Sequence, residues 1–210
     1  MLIITAWCIF EAALNWITVQ FPSAHNSNRF VLSPLVGGTN NLMPFSNADG
    51  TFTQIVMYVS TFKRPGETAT EVSVSDRAAY CRTTFTEIVH GYVNPATYLY
   101  FEEVEQAMPD ITSWNTDAIA QTAYSTNLVT FNEYMTWAMC SLYIMDTFPP
   151  EAQEEAIQYQ EDILVDRRGF VQYREFNGEL MRLYKEREPE QTITNLYPAI
   201  LDWVTEQATS

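Results

Sequence analysis

Apolar positions recur at helical spacing over most of the chain and alternate at strand spacing only in its first third. In "MLIITAWCIFEAALNWITVQFP", Phe10, Leu14, Ile17 and Phe21 fall on one helical face, and Pro22 ends the run. "RFVLSPLVGGTNN" predicts a strand entering a loop rich in Gly, Asn and Pro. "TFTQIVMYVSTF", residues 51–62, predicts another strand from its β-branched and aromatic content. "KRPGETATEVS" turns the chain. A helix then runs from near Asp76, with Ser75 or Asp76 as cap, to His90 or just beyond, and Pro95 closes off its continuation.

"TYLYFEEVEQAM" predicts a further helix ending near Pro109, and a short one follows over 117–124. The strongest helical signal is "TFNEYMTWAMCSLYIMDTF", where Thr130 and Glu133 have capping-box spacing and Pro149 marks the end. Three more helices complete the chain, over 151–165, from Gly169 to about Arg187, and over 194–207. Phe170, Tyr173, Phe176, Leu180 and Leu183 form one stripe. Strands first and helices afterwards define an α+β fold, mostly helical, with a small N-terminal sheet. The 210 residues suit a single domain in three stretches: helix plus sheet over 1–62, a central helical stretch over 76–148, and C-terminal helices over 151–210.

Composition narrows the function classes. With 26 acidic and 11 basic residues the net charge is −15, which disfavours nucleic acid and docking on anionic lipid. No run is long enough to span a membrane. The N-terminal stretch lacks a basic region and is interrupted by Glu11, unlike a signal peptide; the opening Met followed at once by a helix suggests a piece of something longer. Cys8, Cys81 and Cys140 are odd in number, contain no CxxC pair and sit among apolar neighbours, so three buried thiols are expected.

The candidate chemistry centres on "FTEIVHGYVNP" (85–95). Metallopeptidases with H-E-x-x-H use two histidines four apart as zinc ligands and the glutamate as base, with a third ligand from a later helix. Glu87 and His90 occupy the base and second-ligand positions, Thr86 stands where the first histidine belongs, and Glu133 is a candidate third ligand. A threonine hydroxyl is a poor zinc ligand. The only other histidine, His25, lies in the polar stretch "SAHNSN", where exposure to solvent is the ordinary expectation. Asp76 and Glu102 are further carboxylates that could complete a site. The bland readings are equally definite: Glu133 completes a capping box, and His90 sits at a helix C-terminus, where a cation suits the dipole.

Other designs find no support. A carboxylate-bridged di-iron bundle needs two Glu-x-x-His units. Ser or Cys triads need a histidine base, and no G-x-S-x-G elbow is present. "LVGGTNN" lacks the phosphate-loop lysine and the dinucleotide pattern. The pairs Glu102/Glu103 and Glu154/Glu155 read as solvated helix faces.

"FVLSPLVGG", "FTEIVHGYVNP", "FNEYMTWAMCSLY" and "RRGFVQYREFNGELMRLYKER", in this order, resemble a family of uncharacterised bacterial exported proteins similar to gluzincin-type zinc metallopeptidases. The resemblance runs from about Phe30 onward. It implies a zincin-like domain with Glu87 as base, His90 and Glu133 as zinc ligands, and Asn94 and Pro95 shaping the turn that leaves the active-site helix. It also implies an exported, periplasmic or cell-surface location. The departure is Thr86, which bears on metal binding and hydrolysis together. Two functions follow as expectations: a degenerate metal-dependent peptidase, or a non-catalytic pseudo-peptidase scaffold that binds a peptide, glycan or protein partner.

Overall fold

A computed structural model describes residues 2–22, 25–33, 35, 41–59 and 74–208; the side chains of 2–10, 32, 59, 74–84 and 119 are outside that description. The turn expected over 63–73, the Gly37–Gly38 loop, the stripe position of Phe10, the Ser75 and Asp76 caps and the thiols of Cys8 and Cys81 therefore lie beyond it. The fold is α+β and mainly helical, as the pattern predicted. Helix α1 (Leu2–Gln20) precedes strands β1 (Ser27–Leu32), β2 (Asn41–Ser46) and β3 (Thr53–Val59), after which the chain is helical: α2 (Val74–Tyr98), α3 (Phe101–Ala107), α4 (Ala118–Ala123), α5 (Asn127–Thr147), α6 (Pro150–Asp162), α7 (Tyr173–Glu186) and α8 (Tyr197–Ala208).

The sheet has the order β1-β3-β2, with β1 parallel and β2 antiparallel to the central β3. Strand β2 corrects the expected loop. Its Pro44 and largely exposed side chains argue against a central strand, but an edge strand tolerates a residue that cannot donate to the ladder. Pro44 pairs with Ile55 and Leu42 with Met57, which sets one sheet face against α2. Gly91 makes that approach close: a Cβ there would meet Ile55 Cγ1 and Leu42 Cδ1 at 3.4 Å.

Two helix boundaries differ from expectation. Pro95 does not end α2, which continues through it to Tyr98. Proline inside a helix costs about 3 kcal/mol, because its ring clashes and the carbonyl four residues back, here Gly91, loses its donor. Burial offsets this: Tyr92, Val93 and Thr97 are withdrawn from solvent, each large apolar side chain contributing about 1.5–3 kcal/mol. Thr97 Oγ1 also meets the Tyr197 hydroxyl at 3.1 Å, which ties this last turn to α8.

Helix α5 begins one turn earlier than expected. Thr126 is its N-cap, with an extended backbone and a side chain that accepts from Val129 N at 3.2 Å. Thr130 is instead buried inside the helix and donates to the Tyr124 carbonyl at 3.0 Å. From Thr130 to Ile144 nearly every α5 residue is buried, so this helix is the core around which α2, α3, α6 and α7 pack. Aromatic rings fill the space. Tyr134 lies 5.3–5.9 Å from Trp114, Phe170, Phe176 and Tyr173, and its hydroxyl donates to the Trp114 carbonyl at 2.5 Å. Cys140 is buried, as expected of it. No described helix is long and apolar enough to cross a membrane.

Candidate functional site

The face of α2 that carries Phe85, Ile88, Val89, Tyr92 and Val93 is buried, and Glu87 and His90 stand on its flank, one turn apart. Helix α5 presents Glu133, Thr136 and Trp137 at i, i+3 and i+4 to the same place. The two helices bring His90 and Glu133 together: Nε2 lies 3.4 Å from Oε1, with side chains 19% and 13% exposed. Both bland readings of these residues fail. Glu133 completes no capping box, because the N-cap of α5 is Thr126, and His90 is two turns short of the end of α2.

Each partner is held further. Nδ1 of His90 is 3.3 Å from Thr136 Oγ1 and 3.3 Å from Asn94 Oδ1, and Trp137 Nε1 donates to Glu133 Oε2 at 3.1 Å. Nε2 of His90 thus faces the Glu133 carboxylate and Nδ1 faces Thr136 Oγ1 and Asn94 Oδ1, so both ring nitrogens have polar neighbours within the protein. Asn94 acts here as a neighbour of His90 within α2. The turn-forming role expected for Asn94 and Pro95 is corrected, since both lie in the helix interior.

Glu87 faces the same cleft, and among the described residues its carboxylate has no hydrogen-bond or ion-pair partner. Burial raises its pKa above the ordinary carboxylate value. His90 and Arg168 pull it down and Glu133 pushes it up. Thr86, four residues before His90 on α2, is buried. His25 corrects the expectation of an exposed loop histidine: its ring rests 4.4 Å from that of Tyr92, its Nε2 is 2.8 Å from Asn28 Oδ1, and burial lowers its pKa. It lies beside the Gly91 carbonyl, the one that Pro95 leaves without a helical donor, yet its buried Nδ1 forms no well-aligned hydrogen bond. Glu102 is exposed on α3, and the side chain of Asp76 is outside the description.

Arg168 and Tyr124 belong to the same cleft and were not legible in the sequence. A π-helical turn, Ile163–Arg167, ends α6 and delivers Arg168. Its Nη2 donates to the Tyr124 hydroxyl at 3.1 Å, and its guanidinium carbon lies 5.1 Å from the centre of the Trp137 ring. Burial, then Glu133, raise the Tyr124 hydroxyl's pKa, and Arg168 opposes them. Gly169, at φ +73°, was the available signal: its ideal Cβ would lie 2.5 Å from Asp117 Cβ, so only glycine lets this segment pass α4.

A zinc site needs three protein ligands. The cleft offers the His90–Glu133 pair, and among the described residues no group of three or more His, Cys, Asp or Glu side chains is placed to hold a metal ion. A separate open groove of about 570 Å³ between α6 and α7, lined by Met145, Ile157, Glu161 and Met181 among others, shares no residue with this cleft. Compared with protein-family models, curated proteins and solved structures, the chain has no significant match.

Proposed function

We propose that the chain is a degenerate zincin-like protein in which the metallopeptidase cleft survives as a non-catalytic binding site for peptide segments. The observation that carries this reading is the His90–Glu133 pair. The two residues that would be zinc ligands in a peptidase face one another at 3.4 Å, His90 held by Thr136 and Glu133 by Trp137, with no third donor placed beside them for a metal among the described residues and Thr86 in place of the first histidine. The donor set does not fit a three-ligand zinc ion, so no hydrolytic step is assigned to Glu87. Strand β2, against which α2 packs through Leu42 and Gly91, supports the peptide part: among the described residues it is an edge strand, with backbone groups an extended chain could pair with.

The competing reading is a metal-dependent peptidase with Glu87 as base. One observation favours it: the 3.4 Å between His90 Nε2 and Glu133 Oε1 is near the roughly 3.3 Å that separates two ligand atoms in a tetrahedral zinc site. Casein-derived peptides, incubated with and without added zinc, separate the two. Saturable binding without cleavage, weakened in Glu133→Ala, is the expected outcome. Zinc-stimulated cleavage abolished by Glu87→Gln would overturn the proposal.

A further inference from the structure

We propose that Arg168 is the specificity-determining residue of this cleft and that it selects ligands bearing a carboxylate, in the first instance the free C-terminus of a bound peptide. The inference rests on the peptide-binding reading above and adds the chemical class of the ligand.

Arg174 and Arg182 are ion-paired with carboxylates, as expected in a chain with 26 acidic residues. Arg168 is not. Glu87 is near enough to feel its charge, yet among the described residues no carboxylate comes within ion-pair distance of it. It is supported by neutral groups, the Tyr124 hydroxyl and the Trp137 ring, and its Nη1 is withdrawn from solvent without an acceptor. A guanidinium has five N–H donors, and among the described residues one hydrogen bond is formed here. A partly desolvated cation with so little compensation gains more from an incoming oxyanion than a solvated one does.

The backbone fixes its position. The π-helical turn ends one residue before Arg168, and the Gly169 carbonyl accepts from Thr116 N at 3.0 Å. Phe170 N donates to the Leu164 carbonyl at 3.0 Å, so the segment is pinned on both sides. The guanidinium is thus pre-organised, which limits the entropy lost on binding. The carboxylate of Glu133 nearby does not compete, because His90 and Trp137 already hold it. Ligand oxygen would meet the guanidinium beside Trp137 and Tyr124, and Trp137 would report its arrival.

The test uses a degenerate octapeptide pool in three forms: free C-terminal acid, C-terminal amide, and amide with one internal Asp. Binding is read by tryptophan emission, with Trp137→Phe as the control for the origin of the signal. A charge-assisted contact should make the free acid bind about 10–100-fold more tightly than the amide. Arg168→Met should bring the acid-to-amide ratio to about one, and Arg168→Lys should restore part of the preference. Recovery by the Asp form alone would assign the carboxylate to a side chain and not to the terminus, overturning the C-terminal assignment. Equal binding of acid and amide, or a preference that persists in Arg168→Met, would overturn the inference while peptide binding stands. Binding of no peptide would overturn the functional reading, and this inference with it.

Discussion

Glu87 sits in an environment that disfavours its charge. Its carboxyl is half-withdrawn from water without a hydrogen-bond partner among the described residues, and burial raises its pKa. The native state therefore holds this proton more tightly than the unfolded chain does. Where the native state binds more protons, stability falls as pH rises. The loss begins at the ordinary carboxylate pKa and is complete above the raised one. Glu87→Gln removes the ionisation, so thermal melts should show the variant gaining on the parent as pH rises above the ordinary carboxylate pKa of about 4.3. A constant difference as pH rises would mean that Glu87 is as well solvated as a surface acid. His90 and Glu133 teach a related lesson. Their sequence positions admitted a helix-dipole role and a capping role, and only the location of the two helix ends removed those alternatives.

Two glycines separate backbone necessity from chance among the elements. Gly169 combines φ +73° with a Cβ position 2.5 Å from Asp117. Gly169→Ala should cost about 2–4 kcal/mol, from left-handed strain plus overpacking. Gly178, on the exposed side of α7 with nothing within 4 Å of where a methyl group would sit, is the counterpart. Gly178→Ala should stabilise by about 0.5–1 kcal/mol. Urea unfolding of both variants checks the pair, and equal effects would contradict the backbone account. The elements also show what was legible. Long helices with one apolar face, such as α7 with Tyr173, Phe176 and Leu180 buried, follow from periodicity. Strand β2 did not, because an exposed edge strand containing Pro44 has neither alternation nor the usual composition. Nor did the passage of α2 through Pro95, which depends on burial of Tyr92, Val93 and Thr97 by elements far away in sequence.

At the scale of the molecule, the fold class was written in the order of patterns, sheet first and helices after. The cleft was written only in part. Glu87 and His90 drew attention through their TExxH spacing and Glu133 as a candidate ligand on a later helix, and the structure brings His90 and Glu133 together. Arg168 and Tyr124 join them through a π-helical turn and a glycine passage that no local motif announces. On the reading proposed above, what the assembled cleft has lost is a third metal donor. Zinc titration by calorimetry tests this most directly, on the parent chain, His90→Ala, Glu133→Ala and Thr86→His. The parent should purify without stoichiometric zinc and bind it no more tightly than about 10 μM. Thr86→His should tighten binding by a factor of about ten or more, through an added imidazole. Near-stoichiometric zinc in the parent, lost in both His90→Ala and Glu133→Ala, would contradict the proposal and return the protein to the working metallopeptidases.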